Sequence, residues 1–175
     1  DSDERLIVIS GIKGIGKTSL AWKALKDYED RKNILWHSAH EWDTARSFLQ
    51  QASEMLVRLG RNEVRKALKI NRNIDIGQGA SALVKDLQDS DSIFVIDNVF
   101  DLKKEAMHLL QTLCEQSREL HGSCIILITR DMELAGCIPA LKKARKNEIV
   151  LKGLERKSAM ELMATMGLEP GDGDR

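Results

Sequence analysis

An excess of charge of either sign is the first thing this chain lacks. Lys plus Arg and Asp plus Glu each number 27 in 175 residues, so the formal net charge is zero. Such a balance gives no support to sequence-independent binding of nucleic acid, which needs a basic field. No apolar run approaches membrane-spanning length and no signal peptide is recognisable, so a cytoplasmic or nucleocytoplasmic protein with no membrane contact is expected. Cysteine is scarce and odd in number: Cys114, Cys124 and Cys137 lie in or near apolar stretches. They read as reduced structural thiols, not as a disulfide framework. His37, His40 and Glu41 lack a matching Cys or Asp, so no zinc centre is expected. Internal repeats and low-complexity runs are absent too. The length suits one domain of common size.

What the chain does have is Gly11-Ile12-Lys13-Gly14-Ile15-Gly16-Lys17-Thr18. It satisfies the phosphate-binding pattern G-x-x-x-x-G-K-S/T, and its flanks agree with it. Leu6 to Ser10 before it reads as a buried strand, and Ser19 to Leu25 after it as a helix. Glycines let such a loop turn tightly with its N–H groups facing inward as an anion nest. The helix N-terminus adds the positive end of its dipole. Lys17 can then reach the β- and γ-phosphates, and the Thr18 hydroxyl can ligate Mg²⁺.

Strands and helices alternate along the rest of the chain. The first helix carries Leu20, Ala21, Ala24, Leu25 and Tyr28 as its predicted inward face. Asn33 to Ser38 reads as a strand, with Trp36 as a core aromatic. Asp43 or Thr44 can cap the next helix, whose apolar stripe is Ala45, Phe48, Leu49, Ala52, Met55, Leu56 and Leu59, with Gly60 as its stop. Arg61 to Asn73 is basic and weakly helical, most simply an exposed face. Gly77 and Gly79 read as a loop before a helix over Ala80 to Gln88. A long helix over Leu102 to Ser117 stops near His121-Gly122. Pro139 interrupts a short segment, and Lys142 to Lys146 forms a basic turn. Glu148 to Leu151 is the fifth strand. A last helix, Ser158 to Met166, puts Ala159, Leu162, Met163 and Met166 on a packing face. Five alternations argue for an α/β fold with a parallel sheet covered on both sides and right-handed crossovers.

Two strand ends carry chemistry. Ile93-Phe94-Val95-Ile96 is apolar enough to be buried on both faces, and Asp97 follows at the carboxyl end, where open α/β sheets place ligands. In a phosphate-loop NTPase an acid there holds Mg²⁺. Cys124 to Ile128 is another buried strand, ending in Thr129-Arg130. An arginine at that end could contact a γ-phosphate.

Four stretches together resemble one family. Gly11 to Thr18 is similar to its phosphate loop, and Ile93 to Val99 to its second kinase motif. Gly122 to Asp131 is similar to its "GS-x-I-I-I-T-T-R-D" segment, and Leu151 to Leu162 to its "L-x-x-L-x-x-x-E-A-x-x-L" boundary. The pattern resembles NB-ARC domains, the nucleotide switches of STAND-type immune and cell-death receptors, including those of plant defence. The resemblance implies a three-layer P-loop NTPase fold with sheet order 2-3-4-1-5. It implies a nucleotide-binding subdomain over residues 1–153 and the start of a helical subdomain over 154–175. It assigns ADP/ATP contacts to Gly11, Gly14, Ile15, Gly16, Lys17, Thr18 and Ser19, and Mg²⁺ to Thr18 and Asp97. Catalytic roles fall to Asp97, Asn98 and, as γ-phosphate sensor, Arg130. In such proteins ADP holds a closed form, and exchange for ATP permits oligomerisation. The family's adenine-contacting segment would precede Asp1, and helical, winged-helix and repeat domains would follow Arg175. The expectation is therefore a module excised from a longer protein, with weakened nucleotide affinity.

Many plant receptors of this type carry a second Asp where this chain has Asn98. Asp-Asn and the Ile34-Leu35-Trp36 strand resemble instead the branch with tetratricopeptide repeats. An amide can hydrogen-bond a water but cannot take its proton, so slow hydrolysis is implied. The alternative is a turnover enzyme, an AAA-like motor or a P-loop kinase. A motor usually has Glu at that place, and Arg61 to Arg72 makes a poor kinase lid. A scaffold that binds no nucleotide is disfavoured by intact Lys17, Thr18 and Asp97. If the missing base limits hydrolysis, Asn98→Asp should raise the steady-state ATPase rate of the full-length parent protein. An unchanged rate removes that explanation.

Overall fold

The computed structural model describes residues 5–28, 32–70, 74–88, 90–130 and 147–167. Five strands form one parallel sheet: β1 (Leu6–Ser10), β2 (Asn33–Ser38), β3 (Ser92–Asp97), β4 (Cys124–Ile128) and β5 (Glu148–Val150), in the order β2-β3-β4-β1-β5. The helices are α1 (Lys17–Lys26), α2 (Ala45–Val57), α3 (Glu63–Ile70), α4 (Ile76–Leu87), α5 (Lys104–Glu115) and α6 (Arg156–Thr165).

Alternation along the strands divides the core in two. Leu6, Val8, Leu35, Phe94, Ile96, Ile125 and Leu127 face one side, where α2, α3, α4 and α5 bring Phe48, Leu49, Leu56, Val64, Leu83 and Leu109. Ile9, Ile93, Val95, Ile126 and Ile128 face the other, against Ala21 and Leu25 of α1. All six residues of β3 are buried, as expected of a strand covered on both faces. Each fully buried Leu, Ile or Phe contributes about 1.5–3 kcal/mol, so the central strands anchor the structure.

Buried polar groups tie the ends of these elements together. The Ser123 hydroxyl donates to the Leu87 carbonyl at 2.7 Å and accepts from the Ser92 N–H at 2.9 Å. The Asp86 carboxylate, on α4, accepts the N–H groups of Glu63 and Val64 at 2.9 and 2.8 Å and so caps α3. Cys114 is buried, which pushes its thiol up to about 12. That is the inert chemistry expected of a structural cysteine.

Several sequence expectations need correction. Gly77 and Gly79 lie inside α4, not in a loop. Asp75 caps that helix by accepting from the Gln78 N–H at 3.1 Å. A Cβ on Gly79 would stand 2.5 Å from Leu49 Cδ1, so the glycine serves the close approach of α4 to α2. Thr44, not Asp43, caps α2. Asp43 turns inward, accepting from the His40 N–H at 3.0 Å. On α1 only Lys17, Ala21 and Leu25 are buried, because the helix touches its sheet along one narrow line; Leu20 and Tyr28 are exposed. Trp36 is half-buried, edge-on to the exposed Trp22 at 5.6 Å between ring centroids. The helix expected over 102–117 is α5, with 3-10 turns at Val99–Asp101 and Ser117–Glu119 on either side. No residue of α6 is buried; of its expected packing face Leu162 and Met166 are exposed and Ala159 and Met163 only half-buried. Cys137, Pro139 and the basic turn at 142–146 lie outside the described residues.

Gly79→Val should cost about 1–3 kcal/mol, since the fully buried Leu49 has nowhere to retreat. Urea unfolding followed by circular dichroism measures it, and an unchanged midpoint would mean that α2 and α4 part freely. His37 stands buried at the end of β2, 3.3 Å from Asp43 and edge-on to Phe48. Burial pulls its pKa down, with the charge of Asp43 opposing. The fold thus prefers the neutral imidazole, a contribution present above the usual value of about 6.5 and lost as pH falls below it. Stability should drop between pH 7.5 and 5.5, and His37→Gln should flatten that drop; an equal slope in the variant would place the effect elsewhere.

Candidate functional site at the carboxyl ends of the strands

The glycine loop joins the end of β1 to the first turn of α1. Gly14 and Gly16 have φ of 83° and 98°, where an L side chain is strained. Gly11, at φ 150°, is limited by space as well: a Cβ would lie 2.7 Å from the Leu151 carbonyl oxygen, just after β5. Gly16 is also the N-cap of α1. No side chain caps this helix, and no acid stands in its first turn. Unlike α2 and α4, which Thr44 and Asp75 cap, α1 leaves its terminal N–H groups and positive dipole end to the loop; α5 and α6 also lack a side-chain cap, but only α1 opens from the glycine loop.

Lys17 is buried. Its Nζ donates to the carbonyl oxygens of Gly11 and Ile12 at 2.8 and 2.9 Å, drawing the loop around the ammonium. Burial lowers its pKa, the charge of Asp97 opposes that, and Arg130 adds to the fall. The next residue, Thr18, donates through Oγ1 to Asp97 Oδ2 at 2.9 Å. Asp97 Oδ1 accepts the Asn98 N–H at 2.8 Å. Asn98 itself is left-handed, at φ 57° and ψ 37°, which turns the chain sharply into Val99–Asp101. Arg130, just past β4, places Nη2 3.5 Å from Asp101 Oδ2 and Cζ 5.8 Å from the centre of the Phe100 ring.

Lys13, Gly14, Gly16 to Ser19, Asn98 and Arg130 line one cleft of about 270 Å³. Three cations and no carboxylate stand among these lining residues, a polarity that suits a polyanion. Asp97 lies behind Thr18, only 4% exposed. The remaining candidates are not in the lining: Gly11 packs on Leu151, and the Ile15 side chain lies over Gly11. Sequence reading passed over Lys13, Phe100 and Asp101. The run Asp-Asn-Val-Phe-Asp was visible, but nothing local shows that its last carboxylate meets Arg130.

Arg65 and Lys69 of the basic stretch line a groove of about 880 Å³ with Arg46 of α2 and Arg58 just past its end, and the groove holds none of the motif residues. No three His, Cys, Asp or Glu among the described residues gather in a way that could hold a metal ion. Nor is any described helix long and apolar enough to cross a membrane.

The family profile described as "NB-ARC domain" matches residues 1–172. Among solved structures, a STAND protein with a tetratricopeptide-repeat sensor from Pyrococcus horikoshii is similar at 22% identity and TM-score 0.67, covering 93% of this chain and 23% of its own. Cdc6p of Pyrobaculum aerophilum is similar at 15% identity and TM-score 0.66, covering 95% and 44%. The Orc1 protein of Aeropyrum pernix, solved with DNA, is similar at 20% identity and TM-score 0.62, covering 94% and 44%. At these identities the likeness is one of fold, and this chain spans less than half of each of those proteins. Among curated proteins none matches.

Proposed function

The chain belongs to the NB-ARC family and has its P-loop NTPase fold, and from that premise we propose that it is the ADP/ATP switch module of a STAND-type signalling receptor. The observation that carries this reading is the convergence of Lys17, Thr18, Asn98 and Arg130 on one cleft, with Asp97 bonded to Thr18. In this reading the N–H groups of the loop and of α1 take the β-phosphate, and Lys17 trades its carbonyl partners for phosphate oxygens. Thr18 and Asp97 supply hard oxygen donors of the kind Mg²⁺ selects. Bound there, Mg²⁺ would neutralise polyphosphate charge. Arg130 meets the terminal phosphate and reports its presence.

Residues 1–153 form the nucleotide-binding unit and 154–175 open a following helical one. α6, with no buried residue, suits a segment that packs on something beyond the described residues. Further helical, winged-helix and repeat domains, oligomerisation on activation, a cytoplasmic setting, and a role in innate immunity, plant defence or cell death are parts of this proposal. In this reading hydrolysis is slow, because the residue beside Asp97 is Asn98, whose amide cannot accept a proton.

Calorimetric titration with ADP and Mg²⁺ tests the reading. Wild type should bind in the micromolar range, about −8 kcal/mol or weaker, and Lys17→Ala should abolish the heat. No heat with wild type, or an unaffected Lys17→Ala, overturns it. Several turnovers per second would favour the enzyme instead.

A further inference from the structure

Of the three cations around the cleft, only Arg130 makes an ion pair with a carboxylate among the described residues. Its partner, Asp101, and the ring beneath it, Phe100, both belong to the turn that follows Asn98. That turn is closed by the Asp101 N–H to the Asn98 carbonyl at 2.9 Å and the Leu102 N–H to the Val99 carbonyl at 3.2 Å. The turn therefore presents a carboxylate and an aromatic face to the guanidinium as one short, hydrogen-bonded unit. The side chains of Arg130 and Asp101 are about a third exposed, at 37% and 30%, so the pair can open without breaking the core. A guanidinium is attracted by the carboxylate, by the face of the ring and by any phosphate that enters the cleft.

We propose that Asp101 sets the preference of the cleft for nucleoside diphosphate over triphosphate. It holds Arg130 against Phe100, so a terminal phosphate must compete for the guanidinium and enter beside a like charge. A diphosphate, gripped at the loop and Lys17, makes no such demand. Asp101 is thus a positioning residue that acts through Arg130. The inference rests on the reading of the cleft given above.

Asp101→Asn keeps the shape and removes the charge. Calorimetry with ADP and with a non-hydrolysable ATP analogue, both with Mg²⁺, should find the analogue bound about fivefold more tightly than by wild type, the scale of an exposed ion pair. ADP affinity should stay within about twofold. On an Arg130→Ala background the same substitution should change neither affinity, a result that a merely structural role for Asp101 would not give. Asp101→Glu should retain the wild-type preference. Phe100→Leu, which leaves the carboxylate, should give a smaller shift of the same sign and carries the test should Asp101→Asn fail to fold. Equal shifts for both nucleotides, no shift, or a persisting shift without Arg130 overturns the proposal. Wild type that binds neither nucleotide brings down the cleft reading together with this one. Binding that is lost in Lys17→Ala but indifferent to Asp101→Asn brings down this one alone.

Discussion

A hydroxyl and a carboxylate 79 positions apart in the chain, Thr18 and Asp97, meet at 2.9 Å. Everything at this end of the molecule depends on that meeting. Thr18 sits in the first turn of α1, just after β1, and Asp97 is the last residue of β3. The two strands are not neighbours, since β4 lies between them. Their ends come level because β4 pairs in parallel with both, Ile126 opposite Ile7 on one side and Val95 on the other. A slip of one residue in either pairing would turn the buried side chains of that strand to the wrong face. The apolar alternation that builds the two cores therefore also fixes where the polar residues at the strand ends stand.

A second constraint is electrostatic. Lys17 is largely withdrawn from water, and a buried ammonium without partners is costly. Two backbone carbonyls of the loop and the nearby Asp97 compensate it. The loop can offer those carbonyls only because Gly14 and Gly16 take conformations other residues resist. Local backbone, one lysine and one distant carboxylate thus form a mutually dependent unit. The uncapped N-terminus of α1 leaves the same unit rich in donors, and donors without internal acceptors favour an anion.

The parts legible in the sequence were those in which one strong local rule acts unopposed. Strands buried on both faces appear as continuous apolar runs, which is why β1, β3 and β4 and the residues that end them were readable. The glycine loop was readable because its spacing is itself the mechanism. Misreadings arose where tertiary contact outvoted a local preference. Gly77 and Gly79 look like loop punctuation until Leu49 of α2 is seen lying against Gly79. Trp36 looks fully buried until β2 proves to be the edge strand, which leaves it half-buried against the second core with Trp22 edge-on to it. The order of the strands came from family resemblance, because periodicity alone does not say which strand lies beside which. For the same reason the pairing of Asp101 with Arg130 was invisible: it exists only because β3 and β4 are adjacent.

The acids near the cleft bear on whether it retains nucleotide or turns it over. Hydrolysis needs a group placed to orient a water and to take its proton. Asp97 spends Oδ2 on the Thr18 hydroxyl and Oδ1 on the Asn98 N–H. Glu148 accepts from the Ser10 hydroxyl at 2.6 Å, and Asp101 is paired with Arg130. Among the described residues these three carboxylates each already accept a hydrogen bond or form an ion pair, and the residue beside Asp97 is an amide. The cations Lys13, Lys17 and Arg130, by contrast, line a common cleft. In the proposed reading, an arrangement rich in phosphate-directed donors and poor in bases would retain its ligand more readily than cleave it. Retention is what the proposed switch would need if its state is to be read by neighbouring parts of a longer protein, and on that balance we prefer the switch to the motor as the reading to test.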